Sequence, residues 1–169
     1  MGSWVTKSSY ALIVLAACGG RPASPPPGVS TADTVTGAPD FHFDSLDARE
    51  VSSFAMRGKP AVLVFVTTFD PICQQQVAYA VEAAKAAPEV NFALVALQEP
   101  SQRELVELYR DSMKVTFPVA LGDAGTIAGG GPLGDVHVVP TVVILASDGK
   151  ITWRKAGGAT ASEIRSHLP

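Results

Sequence analysis

The chain has 169 residues, room for one domain of ordinary size and a tail. Its 13 Lys+Arg against 16 Asp+Glu leave a formal charge of -3, and the basic residues form no cluster. That balance excludes a nucleic-acid footprint.

Residues 1–17 combine one basic residue, Lys7, with an apolar run from Tyr10 to Ala17 and small residues just before Cys18, the pattern of a signal peptide. The run falls short of the roughly 20 apolar residues that span a bilayer. Leu15-Ala16-Ala17-Cys18 resembles the lipobox of bacterial lipoproteins, which implies that Cys18 is lipidated and becomes the first residue of the mature chain. Gly19, rather than Asp, then implies outer-membrane sorting by default in a Gram-negative host. From Cys18 to residue 39 the chain is rich in Pro, Gly, Ser and Thr and reads as a tether, leaving a domain over residues 40–169. With Cys18 lipidated, Cys73 is the sole thiol of the mature protein, and no intramolecular disulfide can form.

Phe41 to Phe43 is expected as an entry strand, and Ala48 to Met56 as a brief helical turn. After the turn Arg57-Gly58-Lys59-Pro60, the run Ala61 to Val66 is continuously apolar, as in a strand covered on both faces. Asp70 fits a helix N-cap with Pro71 at the first helical position, and Ile72, Val77, Tyr79, Ala80, Val81 and Ala84 follow at helical spacing as far as Pro88. Val90 to Leu97 reads as a second buried strand. Ser101 and Glu104 form a capping-box pattern for a helix running to Met113, and a short strand lies near Phe117 to Leu121. Gly122 to Gly134 is Gly-rich and reads as a flexible connection. Its Gly129-Gly130-Gly131 run lacks the Lys-Ser/Thr and the following helix of a phosphate cradle. Two strands joined at Ser147-Asp148-Gly149-Lys150 come next, with Trp153 and Arg154 as an edge-strand packing pair. Thr160 and Glu163 open a C-terminal helix.

An apolar strand that delivers Cys73 into the first turn of a helix, with Phe69 at the strand end and Asp70-Pro71-Ile72-Cys73 after it, resembles the site of thioredoxin-fold proteins. The likeness is to the TlpA-like and redoxin thiol-disulfide oxidoreductases, whose aromatic residue precedes Cys-x-x-Cys. A second matching motif is Val139-Pro140-Thr141, where the family has a cis-proline facing the redox site. The resemblance covers about Asp40 to Leu168 and implies an α/β thioredoxin-like sandwich, a central mixed sheet flanked by helices. It also implies that Asp70 stands in the place of the attacking cysteine while Cys73 keeps the resolving place. Phe69, Pro71, Val139 and Pro140 are the implied partner groove, for a periplasmic polypeptide or a small thiol.

A thiol in the first turn of a helix gains from the backbone N–H groups and the dipole, whereas a carboxylate at the N-cap disfavours its thiolate. A thiol pKa near or above the free value of about 8.5 is expected. The place of the buried acid that many thioredoxin-fold enzymes use for proton transfer is matched by Val64, and Thr67 and Thr68 read as backbone-bonding strand-end residues. Two readings remain: a binding module without a dithiol cycle, and a single-cysteine oxidoreductase or peroxidase acting through Cys73. Against the peroxiredoxin pattern Pro-x-x-x-Thr-x-x-Cys, this chain has Val66, Asp70 and Cys73. A mixed zinc site of Asp70, Cys73 and His137 is conceivable from ligand types, with His42 and His167 scattered elsewhere, but the spacing carries no signal for it. No metal and no cofactor are called for.

Overall fold

In the computed structural model, which describes Met1 and residues 37–169, the strand β3 (Ala61–Val66) lies at the centre of the sheet. It pairs in parallel with β4 (Asn91–Ala96) and antiparallel with β6 (Thr141–Leu145). Its apolar run has no polar break because both faces are covered. Val62, Val64 and Val66 point into one core with Cys73, Val77, Leu94, Val106 and Ile164, while Ala61, Leu63 and Phe65 point into another with Phe43, Val95, Leu133 and Val143.

Among the described residues the sheet has seven strands in the order β2-β1-β5-β4-β3-β6-β7, completed by β1 (His42–Ser45), β2 (Val51–Ser52), β5 (Val119–Leu121) and β7 (Ile151–Ala156). β3, β4 and β5 run parallel, so their C-terminal ends share one edge of the sheet. The helices are α1 (Ser53–Met56), α2 (Pro71–Ala86), α3 (Arg103–Ser112), α4 (Ala124–Ile127) and α5 (Ala161–Ser166), with a 3-10 turn at Pro100–Gln102. This is the central mixed sheet with flanking helices that the resemblance implies.

Four local expectations need correction. Ala48 to Met56 is not one helical turn: Val51–Ser52 pairs with β1 before α1 begins, with the Ser52 side chain accepting from the Ala55 N–H. The Ser101/Glu104 capping box does not form. Pro100 opens a 3-10 turn instead, and α3 starts behind Gln102, which makes no side-chain cap. The Gly-rich stretch is a built segment rather than a loose connection: Asp123 caps α4, the Val136 N–H donates to the Gly129 carbonyl at 2.7 Å, and Leu133 and Val136 are buried in the second core. The box at α5 is half formed. Thr160 Oγ1 accepts from the Glu163 N–H, but the Glu163 carboxylate takes Lys155 Nζ at 2.6 Å instead of reaching back.

The expected signal peptide beyond Met1, the expected lipidation at Cys18 and the expected tether as far as residue 36 lie outside the described residues. Among the described residues no helix is long and apolar enough to cross a membrane.

Candidate active site around Cys73

β3 ends at Val66, and the next residues descend from the sheet edge into α2. Asp70 has extended backbone dihedrals and its Oδ1 accepts from the Ile72 N–H at 2.8 Å, so it is the N-cap, with Pro71 at the first helical position where no N–H is needed. Cys73, in the first turn of the helix, faces inward and is 0 % exposed. Phe69 and Ile72 face outward at 67 % and 58 % exposure. The motif therefore presents apolar side chains to solvent and hides its sulfur.

Burial is the main reason the Cys73 thiol is pushed above its ordinary pKa. Hydrogen bonds from Thr67, backbone and side chain, pull it down, with Thr67 Oγ1 3.9 Å from Sγ. The Asp70 carboxylate adds to the upward push. The direction agrees with the expectation from sequence, but the larger cause is burial, which composition could not reveal. Thr67 also departs from its expected role, since its hydroxyl touches the sulfur rather than a backbone group. Thr68 is buried and its N–H donates to Gln98 Oε1 at 3.4 Å. Val64 is completely buried, and among the described residues no Asp or Glu is buried.

The second motif comes to the same edge by strand register. Thr141 of β6 pairs with Phe65 of β3, which places Pro140 beside the end of β3, where the Cys73 segment begins. The Val139–Pro140 bond is cis, as the sequence resemblance implied. Thr141 Oγ1 donates to the Val138 carbonyl at 2.6 Å, and the Gly157 N–H donates to the Pro140 carbonyl at 2.8 Å. Pro140 is buried, Val139 packs against the core cluster that contains Cys73, and Val138 is 51 % exposed. His137 is exposed and lies 3.8 Å from Asp135. Among the described residues no three His, Cys, Asp or Glu side chains come together as metal ligands, so Asp70, Cys73 and His137 are not brought into one site.

Two residues of this region were missed from sequence. Tyr109 of α3 is buried in the same cluster as Cys73, its hydroxyl has no hydrogen-bond partner, and its phenol is pushed up to about 12, mostly by burial with the Cys73 and Asp70 charges adding. Gln76, one turn beyond Cys73, is buried and its Oε1 accepts from the Ala159 N–H at 2.6 Å, tying α2 to the segment before α5. A polar residue at the i+3 position from Cys73 was the available signal for Gln76; Tyr109 gave none, because a tyrosine on an apolar helix stripe reads as core. A cavity of about 280 Å³ adjoins the motif, lined by Thr68, Phe69, Leu105, Leu108, Tyr109 and Ser112. A larger hollow of about 430 Å³, bordered by His42, Glu99, Gly122 and Asp123, contains none of the motif residues.

The AhpC/TSA family model matches residues 36–154. No curated protein sequence matches the chain. Among solved structures, StoA from Bacillus subtilis is 23% identical with a TM-score of 0.62, covering 77% of this chain and 96% of that one. A thiol:disulfide interchange protein of the thioredoxin family from Chlorobium tepidum is 21% identical with a TM-score of 0.67, over 78% and 92% of the two chains. A secreted Mycobacterium tuberculosis disulfide oxidoreductase is 20% identical with a TM-score of 0.61, over 75% and 92%. At these identities the structures show the thioredoxin-like fold.

Proposed function

The chain belongs to the AhpC/TSA family, and from that premise we propose that it is a lipid-anchored envelope protein whose thioredoxin-like domain binds a polypeptide or small thiol without a dithiol cycle. Residues 1–17 are its signal peptide, Cys18 carries the lipid, residues 18–39 tether the domain, and residues 40–169 fold as the thioredoxin-like unit facing the periplasm. Asp70 occupies the place of an attacking cysteine. Phe69, Pro71, Val139 and Pro140 form the partner groove at the sheet edge.

The observation that carries this reading is the state of Cys73. It is 0 % exposed, and it is the only free cysteine among the described residues. A nucleophilic thiol needs both access and a substantial thiolate fraction. Burial denies both, and the Asp70 carboxylate opposes the second. The same turn keeps Phe69 and Ile72 at the surface, which suits contact with an apolar segment of a partner.

Reduction of insulin disulfides in the presence of dithiothreitol tests the proposal. The protein is expected to leave the rate at the level of dithiothreitol alone, and Asp70→Cys is expected to raise it by restoring two cysteines to one helix start. Acceleration by the unaltered protein that disappears in Cys73→Ser would overturn the proposal in favour of a single-cysteine oxidoreductase.

A further inference from the structure

The two edges of the sheet differ in charge. Where β3, β4 and β5 end, the connections 67–70, 97–102, 122–123 and 128–140 carry Asp70, Glu99, Asp123 and Asp135 and neither Lys nor Arg. Arg103, which opens α3, is held by Asp44 at 2.9 Å. Where those strands begin, the connections 46–50, 57–60, 87–90, 113–118 and 146–150 carry Arg49, Arg57, Lys59, Lys114 and Lys150 against Asp47, Glu50, Glu89 and Asp148. Asp47 takes Arg49 at 2.6 Å and Asp148 takes Lys150 at 2.9 Å, which leaves Arg57 and Lys59 exposed and without an ion pair among the described residues. The Gly58 N–H donates to the Ser147 carbonyl at 2.9 Å, so the turns 57–60 and 146–150 form one patch with Arg57, Lys59 and Lys150 on it. A Cβ on Gly149 would lie 3.2 Å from Ala38 Cβ and 3.5 Å from Arg57 Nε. The chain therefore enters the domain from residue 37 beside this patch. Cys73 lies beyond the other end of β3, a strand of 6 residues and so about 20 Å long.

We propose that the domain rests on an anionic lipid surface through Arg57, Lys59 and Lys150, and turns its acidic edge, with the partner groove, away from the lipid. The proposal rests on the reading of Cys18 as the lipid-bearing residue. Charge complementarity selects the surface. The field of an anionic membrane falls off within a Debye length, about 8 Å at physiological salt. The domain therefore responds to the edge nearest the lipid and not to the net charge of the chain. With the patch inward, its cations are attracted while Asp70, Glu99, Asp123 and Asp135 stand beyond the field. In the reverse pose those carboxylates would be pressed against like charge. The entry of the chain points the same way, because an anchor upstream of residue 37 brings the turn at Gly149 to the lipid first. This pose leaves the exposed Phe69, Ile72 and Val138 open to a partner arriving from solution.

The test holds the chain from residue 18 onward on vesicles through a hexahistidine tag in place of Cys18, bound to a nickel-chelating lipid. Energy transfer to a headgroup dye is read from a fluorophore on Ser147→Cys or on Val138→Cys, in a Cys73→Ala background. On vesicles of phosphatidylcholine with phosphatidylglycerol, transfer from position 147 is expected to exceed transfer from position 138. On phosphatidylcholine alone, or at about 0.5 M NaCl, the difference should vanish. Each of Arg57→Gln and Lys59→Gln should lower the population of the docked pose roughly fivefold. Both side chains are exposed and unpaired among the described residues, so neither change threatens the fold. Glu99→Lys, at the opposite edge, should shrink the difference as well. The proposal is overturned if the two positions transfer equally on the anionic vesicles, if position 138 transfers more, if the difference persists on phosphatidylcholine or in salt, or if the Gln variants retain it. The tag replaces the native anchor, so these outcomes do not depend on whether Cys18 is lipidated, which palmitate labelling decides by itself.

Discussion

At Asp70 one side chain has two opposed effects, which separate by substitution. Its carboxylate oxygen satisfies the Ile72 N–H, and its charge helps to hold the Cys73 thiol protonated. Asp70→Asn keeps the cap and removes the charge, so the thiol pKa should fall while stability is nearly unchanged. Asp70→Ala should lower the pKa and also cost about 1 kcal/mol of stability through the lost cap. Thr67→Val should move the thiol the other way, since the Thr67 hydroxyl lowers it. Alkylation rate against pH and urea unfolding of the three variants check these directions. The cap was legible from Asp-Pro spacing alone. The dominant cause of the thiol's shift was not, because burial depends on what α3 and β6 bring over the helix start from distant parts of the chain.

The elements legible in advance were those whose pattern repeats along their length. β3 and α2 declare themselves through a continuous apolar run and a helical apolar stripe, and the structure keeps both within a residue or two. β2 is two residues long and α4 four, too short for any period, and each is held by pairing or by the Asp123 cap rather than by its own composition. Gln76 shows how a tie between elements escapes sequence: its Oε1 accepts from an N–H 83 residues further along the chain. Gln76→Ala should leave that buried N–H unpaired and cost about 2 kcal/mol in urea unfolding. Removing Lys155 from its ion pair with Glu163 should cost less than about 1 kcal/mol, since both side chains remain about one-third exposed. A loss for Gln76→Ala no larger than that for Lys155→Ala would show that α2 and the segment before α5 do not depend on this bond.

For the whole molecule the two buried acids near the site set the alkaline limit of stability. The Cys73 and Tyr109 pKa values are raised in the folded state, so both groups are neutral, and their contribution is complete, below the ordinary thiol and phenol range. As pH rises, the unfolded chain loses these protons first. Stability should therefore fall with pH from the ordinary phenol value of 10 towards about 12, with the thiol adding to the fall from its own ordinary range upward. Tyr109→Phe should flatten the upper part of that decline in unfolding curves collected between neutral and strongly alkaline pH, and an unchanged slope would contradict the burial argument. The proposed anchor belongs to this scale too: Cys18→Ser should abolish palmitate labelling and release the protein from the envelope fraction. The most direct test of a scaffold that binds without thiol chemistry is the alkylation rate of Cys73 against pH, in a soluble form beginning after Cys18. The account predicts an apparent pKa above that of a free thiol, or no reaction until the domain unfolds. Fast alkylation with an apparent pKa well below the free value would contradict it and make Cys73 a working nucleophile.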